Sequence, residues 1–502
     1  MTSRRITDIP FNRAEGDLEV RVEHGDGRVH DAWSAGTMYR GFENLMIGRA
    51  PLDGLVMTPR ICGICTTTHL VAASRALDSI AGVIPPDNAI RLRNVALMAE
   101  HVQSDIRHSV LMFMADFTNP AHAGHSLFAE AERRYTTLRG SSFIDVIRAT
   151  KKVLEVVALI GGQWPHSSFM VPGGLSFAPS QASLLQCRQI VAGYRQWFEQ
   201  RVLGCSIERW QAVDSLKALD AWLDESPAHR DSEVGFLLRF GREAGLDTFG
   251  RGHQAFLSFG ALDLPAETAV SAHTGQLMAA GFVKASQHAA FDQRLISEDV
   301  THSWFKKGLG ALHPSQGVTE PYATGNEGRA YSWVKAPRYD GAAVETGPLA
   351  EAIVERHPLY LDALNGPGVS ALTRQLARLT RPARLLPAMQ TWLDECLATA
   401  GAPIIVGDGY VPDGEAAGMT QAARGALGHW VSIKQGKIER YQIITPTAWN
   451  GSPRDEGGVR GAWEEALVGI PMADPDNPVE AGYVIRSFDP CLVCAVHTVK
   501  RG

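Results

Sequence analysis

The chain has 502 residues, 45% hydrophobic and 20% charged, which is typical of a globular protein with a large core. Its net charge of −6 argues against nucleic acid or an anionic membrane as the main partner. The sequence shows neither an apolar run of membrane-spanning length nor a secretory signal. We therefore expect a cytoplasmic protein, unless a partner's export signal carries it out or to a membrane.

The N-terminal half begins with alternating residues and then becomes helical. Residues 18–39 alternate apolar and polar around a Gly-Asp-Gly turn, which predicts a β-hairpin. Apolar residues then recur at three- and four-residue steps over 88–117, 142–162 and 181–204. These periodic stretches predict a helical bundle.

The C-terminal half is more mixed. Residues 240–345 are rich in Gly, His and short alternating runs, which favours an irregular insertion of strands and loops. Residues 371–400 are helical in period, with a break or kink expected at Pro382 or Pro387. Residues 428–446 alternate again and predict a second hairpin.

The predicted fold class is therefore α+β, mainly α, with a central helical bundle and small sheets at both chain ends. We expect one interwoven unit over residues 1–502. Its predicted segments are an N-terminal β region (1–60), a helical bundle (85–240), an irregular α/β insertion (240–345), further helices (346–400) and a β and loop region (401–502) that closes over the functional site.

Seven cysteines in a chain of this length do not make a disulfide framework. Three stand alone in apolar or helical surroundings and are expected to be buried packing residues: Cys187, Cys205 and Cys396. The other four form two CxxC pairs near opposite ends of the chain: Cys62 with Cys65, and Cys491 with Cys494.

Two CxxC turns can present four thiolates to one soft metal. Zinc, a redox-active transition metal and an iron–sulfur cluster are all compatible with that ligand set, and the local spacing favours structural zinc. The separation of the pairs counts against zinc, because a zinc ribbon closes over roughly 15–20 residues. A site that joins both chain ends indicates a buried, specialised centre.

The flanks of the two pairs carry a family resemblance. "RGFENLMIGRAPLDGLVMTPRICGICTTTH" (40–69) and "SFDPCLVCAVH" (487–497) resemble the two signature motifs of the large subunit of nickel–iron hydrogenases. Further matching stretches follow in order along the chain: 12–20, 165–174, 311–321, 331–341, 423–430 and 444–450. The resemblance implies the hydrogenase large-subunit fold, in the smaller uptake or H2-sensing class.

The resemblance implies a bimetallic centre. Nickel is expected on Cys62, Cys65, Cys491 and Cys494, with Cys65 and Cys494 bridging to an iron that carries cyanide and carbon monoxide. Soft thiolates suit nickel in low oxidation states. The implied reaction is heterolytic cleavage of H2, in which the proton passes to a nearby base.

The resemblance also implies catalytic side chains around this centre. Glu15 matches a glutamate that relays the proton, a role suited to a carboxyl in a buried setting. Arg424 matches an arginine over the open face of the centre, beside Asp116 and Asp489. Ala423 departs from the family pattern, in which a proline commonly precedes this arginine, so the fine geometry of the loop is in question.

Further positions match residues around the cofactor. Pro446 and Thr447 match the place where a hydroxyl hydrogen-bonds a cyanide nitrogen, although Thr447 is also an ordinary turn residue. His69 matches a histidine expected near a bridging sulfur and not as a metal ligand.

A second metal site is implied near the C-terminus. Glu43, the backbone carbonyl of Ile443 and His497 match ligands of magnesium or another divalent cation. Only residues 498–502 follow His497, so the chain either loses a short tail during maturation or matures without cleavage.

The resemblance implies partners as well. The chain has no further cysteine cluster, so a small subunit with iron–sulfur clusters must carry the electrons, in an obligate heterodimer that can pair into a dimer of heterodimers. Maturation factors are also expected. Three functions remain open: catalytic H2 uptake, H2 sensing at low turnover with a partner kinase, and a structural or respiratory-type scaffold without hydrogen chemistry.

Overall fold

Helices and small antiparallel sheets make up the chain, as the fold class α+β predicts. The computed structural model describes residues 4–11, 13, 16–266, 275–308, 310–325 and 327–495, and of residues 494 and 495 only the backbone. Within these ranges the α-helices are Phe42–Met46, Asp53–Met57, Thr66–Ala81, Asp87–Arg107, Phe128–Tyr135, Ser141–Gly161, Gln181–Trp197, Ile207–Gln211, Leu216–Glu225, Pro227–Asp231, Glu233–Glu243, Pro348–Val354, Pro358–Asn365, Ala371–Thr380, Pro382–Ala398, Pro446–Asn450, Ala462–Leu467, Val479–Ser487 and Leu492–Ala495.

The strands pair in antiparallel fashion in five sheets of the described chain. Three sheets have three strands each: Arg5–Phe11, Leu18–Gly25 and Arg28–Gly36; Ala255–Asp263, Gln276–Lys284 and Gln287–Ala289; Gly414–Ala422, Gly425–Lys434 and Lys437–Ile444. Two sheets have two strands each: Met170–Val171 with Gly174–Leu175, and Ile296–Asp299 with Ala336–Tyr339.

Both predicted hairpins are confirmed. The first turns at Asp26 and Gly27, and the second turns at Gln435 and Gly436. All four turn residues have positive φ, between 51° and 71°, which matches the right-handed twist of the flanking strands. The expected strands within 240–345 are also present, although long loops separate them.

The helical bundle centres on the long helix Asp87–Arg107. This helix packs against Ser141–Gly161 and Pro382–Ala398, and most of its residues are buried. The break predicted at Pro382 is confirmed, because one helix ends at Thr380 and the next begins at that proline. Pro387 lies inside the second helix.

The stretch predicted as one helix over 88–117 changes its winding. After Arg107 it continues as a π-helix, His108–Phe113, and then as a 3₁₀ segment, Met114–Thr118. Hydrophobic periodicity does not reveal this change, because five of the six residues of the π-helix and four of the five residues of the 3₁₀ segment are buried.

The two cysteine segments meet although they lie at opposite ends of the chain. Helix Thr66–Ala81 begins directly after Cys65 and packs on the strand Gly414–Ala422. The short helix Leu492–Ala495 follows Cys491 and packs against helix Pro446–Asn450. These contacts bring the cysteine motifs next to Arg424 and Thr447.

Candidate metal centre

Three cysteine side chains lie together in one buried cluster. Cys62, Cys65 and Cys491 are 1%, 4% and 0% exposed and are flanked by Ile64 and Val493. The Sγ atoms of Cys62 and Cys491 are 3.5 Å apart. The side chain of the fourth cysteine lies outside the described residues, and the described His, Cys, Asp and Glu side chains form no group of three that could hold a metal ion.

Backbone contacts hold the two cysteine segments together. Arg40 donates from Nη1 to the carbonyl of Ile61, at 2.6 Å, and to that of Val493, at 3.2 Å. The amide of Cys491 donates to Oγ1 of Thr447 over 3.1 Å. Pro446 begins the helix that carries Thr447, and the fixed φ of proline suits that position.

Arg424 lies directly against the cysteine cluster. Its Nη1 is 3.0 Å from Sγ of Cys65, and its Nε donates to Oδ1 of Asp489 at 2.9 Å. Burial opposes the charge on this guanidinium, but the neighbouring Asp489 and the cysteine sulfurs outweigh burial and raise the pKa of Arg424 well above its usual value. A permanently cationic group therefore faces the thiols.

Asp489 lies beside the second cysteine pair in the sequence. Its carboxylate has three cationic or polar partners. Its carboxylate lies 2.9 Å from Nδ1 of His108 and 3.1 Å from Nη1 of Arg378, besides the contact with Arg424. Burial alone would raise the pKa of Asp489, but Arg424, His108 and Arg378 outweigh it and hold that pKa well below its ordinary value. The φ of Asp489 is +59°, a left-handed conformation that Asp and Asn tolerate best after glycine.

His108 links the π-helical turn to this carboxylate. Its Nε2 is 2.6 Å from the carbonyl of Arg486, while its Nδ1 faces Asp489. Burial lowers the pKa of His108, and the adjacent Asp489 opposes that effect. π-Helical turns are frequent at functional sites, and this one places a histidine on the partner of Arg424.

A row of buried ion pairs continues from Asp489 into the bundle. Arg378 lies 3.5 Å from Asp105, which is 2.7 Å from Arg381, and Arg381 is 2.9 Å from Glu351. Burial raises the pKa of Asp105 to about 6 in spite of Arg381. We call these residues the charge row: Asp489, Arg378, Asp105, Arg381 and Glu351.

The loop before Arg424 is fixed by the charge row. Arg378 and Arg381 both donate to the carbonyl of Ala423, each at 2.9 Å. The alanine at this position therefore does not leave the loop free, because two guanidiniums hold its backbone.

Asp116 does not join Arg424 through any contact of the described residues. Its carboxylate pairs with Nη1 of Arg486 at 2.6 Å and with Arg13. Of the two aspartates that were expected beside Arg424, Asp489 contacts it and Asp116 does not. Asp116 lies in the 3₁₀ segment that follows the π-helical turn.

His69 forms a buried chain with a second histidine and a tyrosine. Its Nδ1 lies 3.1 Å from Nε2 of His429, whose Nδ1 lies 2.9 Å from the hydroxyl of Tyr441. Burial lowers the pKa of His69 to about 4, against the opposing charge of Cys62. His69 is therefore a neutral neighbour of the cysteine cluster, and the described contacts include no bond from it to a sulfur.

Glu43 is buried beside a lysine that the sequence motifs did not single out. Oε1 of Glu43 accepts the amide of Ile443 at 2.9 Å, and Oε2 lies 3.1 Å from Nζ of Lys335. The same ammonium lies 3.7 Å from Glu298. Burial raises the pKa of Glu298 to about 7, although Lys335 opposes this.

The remaining predicted residues fall outside the described part of the chain: Glu15, His497 and the side chain of Cys494. Gly16, the residue after Glu15, is described and lies close to the second cysteine pair. A Cβ placed on Gly16, whose φ is +86°, would come within 2.9 Å of the backbone nitrogen of Val493.

Sequence reasoning missed Arg378, His108 and Lys335. Arg378 and Asp105 occupy apolar faces of predicted helices, and a charged residue on such a face indicates a buried ion pair. His108 depends on the π-helical turn and had no comparable signal. Lys335 stands in a stretch matched by the resemblance, but nothing in its immediate sequence indicates that it pairs with Glu43.

The comparison with known families agrees with this arrangement. The profile described as nickel-dependent hydrogenase matches residues 40–136 and 241–497, which include both cysteine pairs. The chain belongs to this family. The match also spans Arg424, Asp489 and Thr447, so the described centre lies within the family region.

Curated relatives match over the whole chain. The large subunit of the periplasmic [NiFeSe] hydrogenase of Desulfomicrobium baculatum is 31% identical, with 99% of this chain and 95% of the relative covered. The uptake hydrogenase large subunit of Rhodobacter capsulatus is also 31% identical, with 99% and 96% covered. The chain is accordingly a [NiFe] hydrogenase large subunit, an oxidoreductase acting on H2.

Solved structures show the same fold. A structure of the H2-activated [NiFeSe] hydrogenase of Dm. baculatum superposes with a TM-score of 0.84 at 30% identity and covers 99% of this chain and 100% of that one. The reduced Ni-Fe-Se hydrogenase of D. vulgaris Hildenborough gives 0.82 at 32% identity, with the same coverage. None of the helices in the described ranges has the length and apolarity that a membrane span requires.

Proposed function

We propose that the chain oxidises H2 at a nickel–iron centre held by Cys62, Cys65, Cys491 and Cys494. All four thiolates would hold nickel, and Cys65 and Cys494 would also hold an iron that carries cyanide and carbon monoxide. The donor set supports this assignment, because three of the four cysteines already form one buried cluster next to a fixed cation. Such a metal pair supplies the two-electron, heterolytic cleavage of H2.

Arg424 stabilises the thiolate form of the centre. A guanidinium 3.0 Å from the sulfur of Cys65 favours the anionic sulfur and is itself held in place by Asp489. Because the group is buried, its field acts in a medium of low polarity, where fixed charges contribute most to catalysis.

Thr447 orients the iron ligands. Its Oγ1 accepts the amide of Cys491, so the hydroxyl hydrogen stays available to donate to a second acceptor. We assign that acceptor to a cyanide nitrogen. Pro446 begins the same helix, and His69 is proposed as a neutral neighbour of the cluster.

Glu15 receives the proton released from H2. The closeness of the next residue, Gly16, to Val493 supports this role, because a carboxyl near a thiolate can exchange protons with it. Asp489 is less suited to this role, because its three partners stabilise the charged form.

A divalent cation, magnesium by its ligand chemistry, is proposed on Glu43, the carbonyl of Ile443 and His497. The buried carboxyls of Glu43 and Glu298 share one ammonium, Lys335, and a second cation would stabilise both in their charged form. Its role is to fix the C-terminal segment against the core.

An iron–sulfur small subunit is the proposed electron partner. The described surface near the first cysteine motif exposes a group of large apolar side chains, which is typical of an interface: Leu45, Ile47, Leu52 and Val56. Uptake, and not sensing, is the proposed role, because the relatives named above include an uptake enzyme. Location in the cytoplasm stays a prediction, since another of these relatives is named periplasmic.

The contact between Arg424 and the cysteine cluster carries the proposal. Its test is H2-dependent dye reduction together with nickel and iron content, measured on the purified heterodimer. We expect one nickel, and one iron beyond the iron of the small subunit's clusters, in the wild type, and loss of both and of activity in Cys65→Ser. The matched variant Cys187→Ser, at a lone buried cysteine, should keep the metals. Metals retained in Cys65→Ser would contradict the ligand assignment.

A further inference from the structure

A cavity of about 270 Å³ adjoins Arg424 and Asp489. Its wall carries three guanidiniums, those of Arg13, Arg107 and Arg424, and it also includes Gln103. Clusters of arginine on a concave surface are the usual means of recognising carboxylates and phosphates. None of the cysteine side chains that the structure describes lines this cavity.

The carboxylates near the cavity are already engaged. Asp489 forms ion pairs with Arg424, Arg378 and His108, and Asp116 forms ion pairs with Arg13 and Arg486. These contacts leave cations in excess around the cavity. Asp489 also lines the cavity, so that three arginines face one aspartate there.

Arg107 is the cation without a carboxylate. Across the described residues it forms no ion pair, and its Nε has no hydrogen-bond partner. Burial lowers the pKa of Arg107, as expected for a guanidinium whose loss of water no anion offsets. A bound anion would supply the missing partner.

Gln103 gives a second, independent indication. This side chain is only 2% exposed and lines the cavity, yet its Oε1 has no hydrogen-bond partner among the described residues. Buried amides are normally bonded, so a group inside the cavity is expected to bond this one. If the terminal amide of Gln103 is rotated by 180°, its NH2 group takes the position of Oε1 and can donate to an anion.

We propose that this cavity binds one small oxyanion, a carboxylate or bicarbonate, between Arg107, Arg13 and the amide of Gln103, next to Arg424. The guanidinium fork matches two oxygens of such an anion. The volume is below the usual range for drug-sized ligands, which favours an anion of a few heavy atoms. The site goes beyond the proposed H2 chemistry and does not depend on it.

Equilibrium dialysis of isotopically labelled formate against the purified heterodimer tests the proposal. We expect saturable binding of one formate per heterodimer, weakened by added chloride because charge provides the attraction. Arg107→Gln should raise the dissociation constant about tenfold or more, since a charge-assisted contact is lost. The control Arg133→Gln removes an arginine whose side chain is 69% exposed and should change nothing.

Two results would overturn the proposal: no saturable binding to the wild type, or equal binding by wild type and Arg107→Gln. The second result would place formate elsewhere, for example on the metals. If Arg107→Gln fails to assemble, Arg107→Lys is measured instead, because lysine keeps the positive charge but cannot donate two parallel hydrogen bonds. This variant should weaken formate binding several-fold. Dialysis needs no turnover, so its outcome is separate from that of the metal and activity assays.

Discussion

Replacing Asp489 by asparagine removes the anion that holds Arg424 against the cysteine cluster. Asparagine fits the left-handed backbone at this position, where φ is +59°, so the main effect is loss of charge. Removing one partner of a buried ion pair costs about 3–5 kcal/mol. The lower end applies here, because Arg378 keeps contacts with Asp105 at 3.5 Å and with the carbonyl of Ala423 at 2.9 Å.

That cost predicts a small but measurable shift in thermal unfolding. A chain of 502 residues has an unfolding entropy of about 1 kcal/mol/K, so about 3 kcal/mol lowers the midpoint by about 3 °C. Turnover should fall more, by about a hundredfold, because Arg424 loses its anchor and its position over Cys65.

Scanning calorimetry and H2-dependent dye reduction on the heterodimer measure both effects. The matched control is Asp340→Asn, the same exchange at an exposed aspartate whose φ is +48°. It should leave midpoint and rate at the wild-type values. If Asp489→Asn behaved like this control in both assays, the role given to the carboxylate would be wrong.

Three further substitutions test other parts of the account. Cys62→Ser should remove nickel, measured by mass spectrometry of the heterodimer, whereas Cys396→Ser should keep it; nickel in both would exclude Cys62 as a ligand. Glu15→Gln should slow H2 oxidation by about a hundredfold or more while metal content stays unchanged, and Asp17→Asn should not; normal turnover would rule out the relay. Burial raises the folded-state pKa of Glu464 from 4.5 to about 7, so the native state keeps a proton that the unfolded chain releases. Wild-type stability should therefore fall as pH rises from about 4.5 to about 7, and Glu464→Gln should remove that part of the slope, measured by denaturant unfolding at each pH; parallel curves would contradict the shift.

The main features of the fold follow from sequence periodicity. The two hairpins and the break at Pro382 depend on local signals, namely alternation with a two-residue turn and the geometry of proline. The π-helical turn His108–Phe113 carries no such signal, because five of its six residues are buried and the apolar pattern does not reveal its period. Its consequence, a histidine on Asp489, was therefore hidden from the sequence.

The candidate centre also has a part that the sequence predicts and a part that it does not. The cysteine pairs carry a spacing signal, and the structure brings three of their side chains together. The partners of Arg424 depend on tertiary contacts: Asp489 lies next to it, whereas Asp116 pairs with Arg486. Long-range ion pairs between separate helices leave only a weak trace in a single sequence, a charged residue on an apolar face.

The infrared spectrum of the heterodimer, recorded with and without H2, tests the central claim most directly. A nickel–iron centre on these four cysteines predicts bands of metal-bound cyanide and carbon monoxide that shift when H2 is added. A heterodimer that contains zinc and shows no such bands would contradict the account and make the two cysteine pairs a structural site.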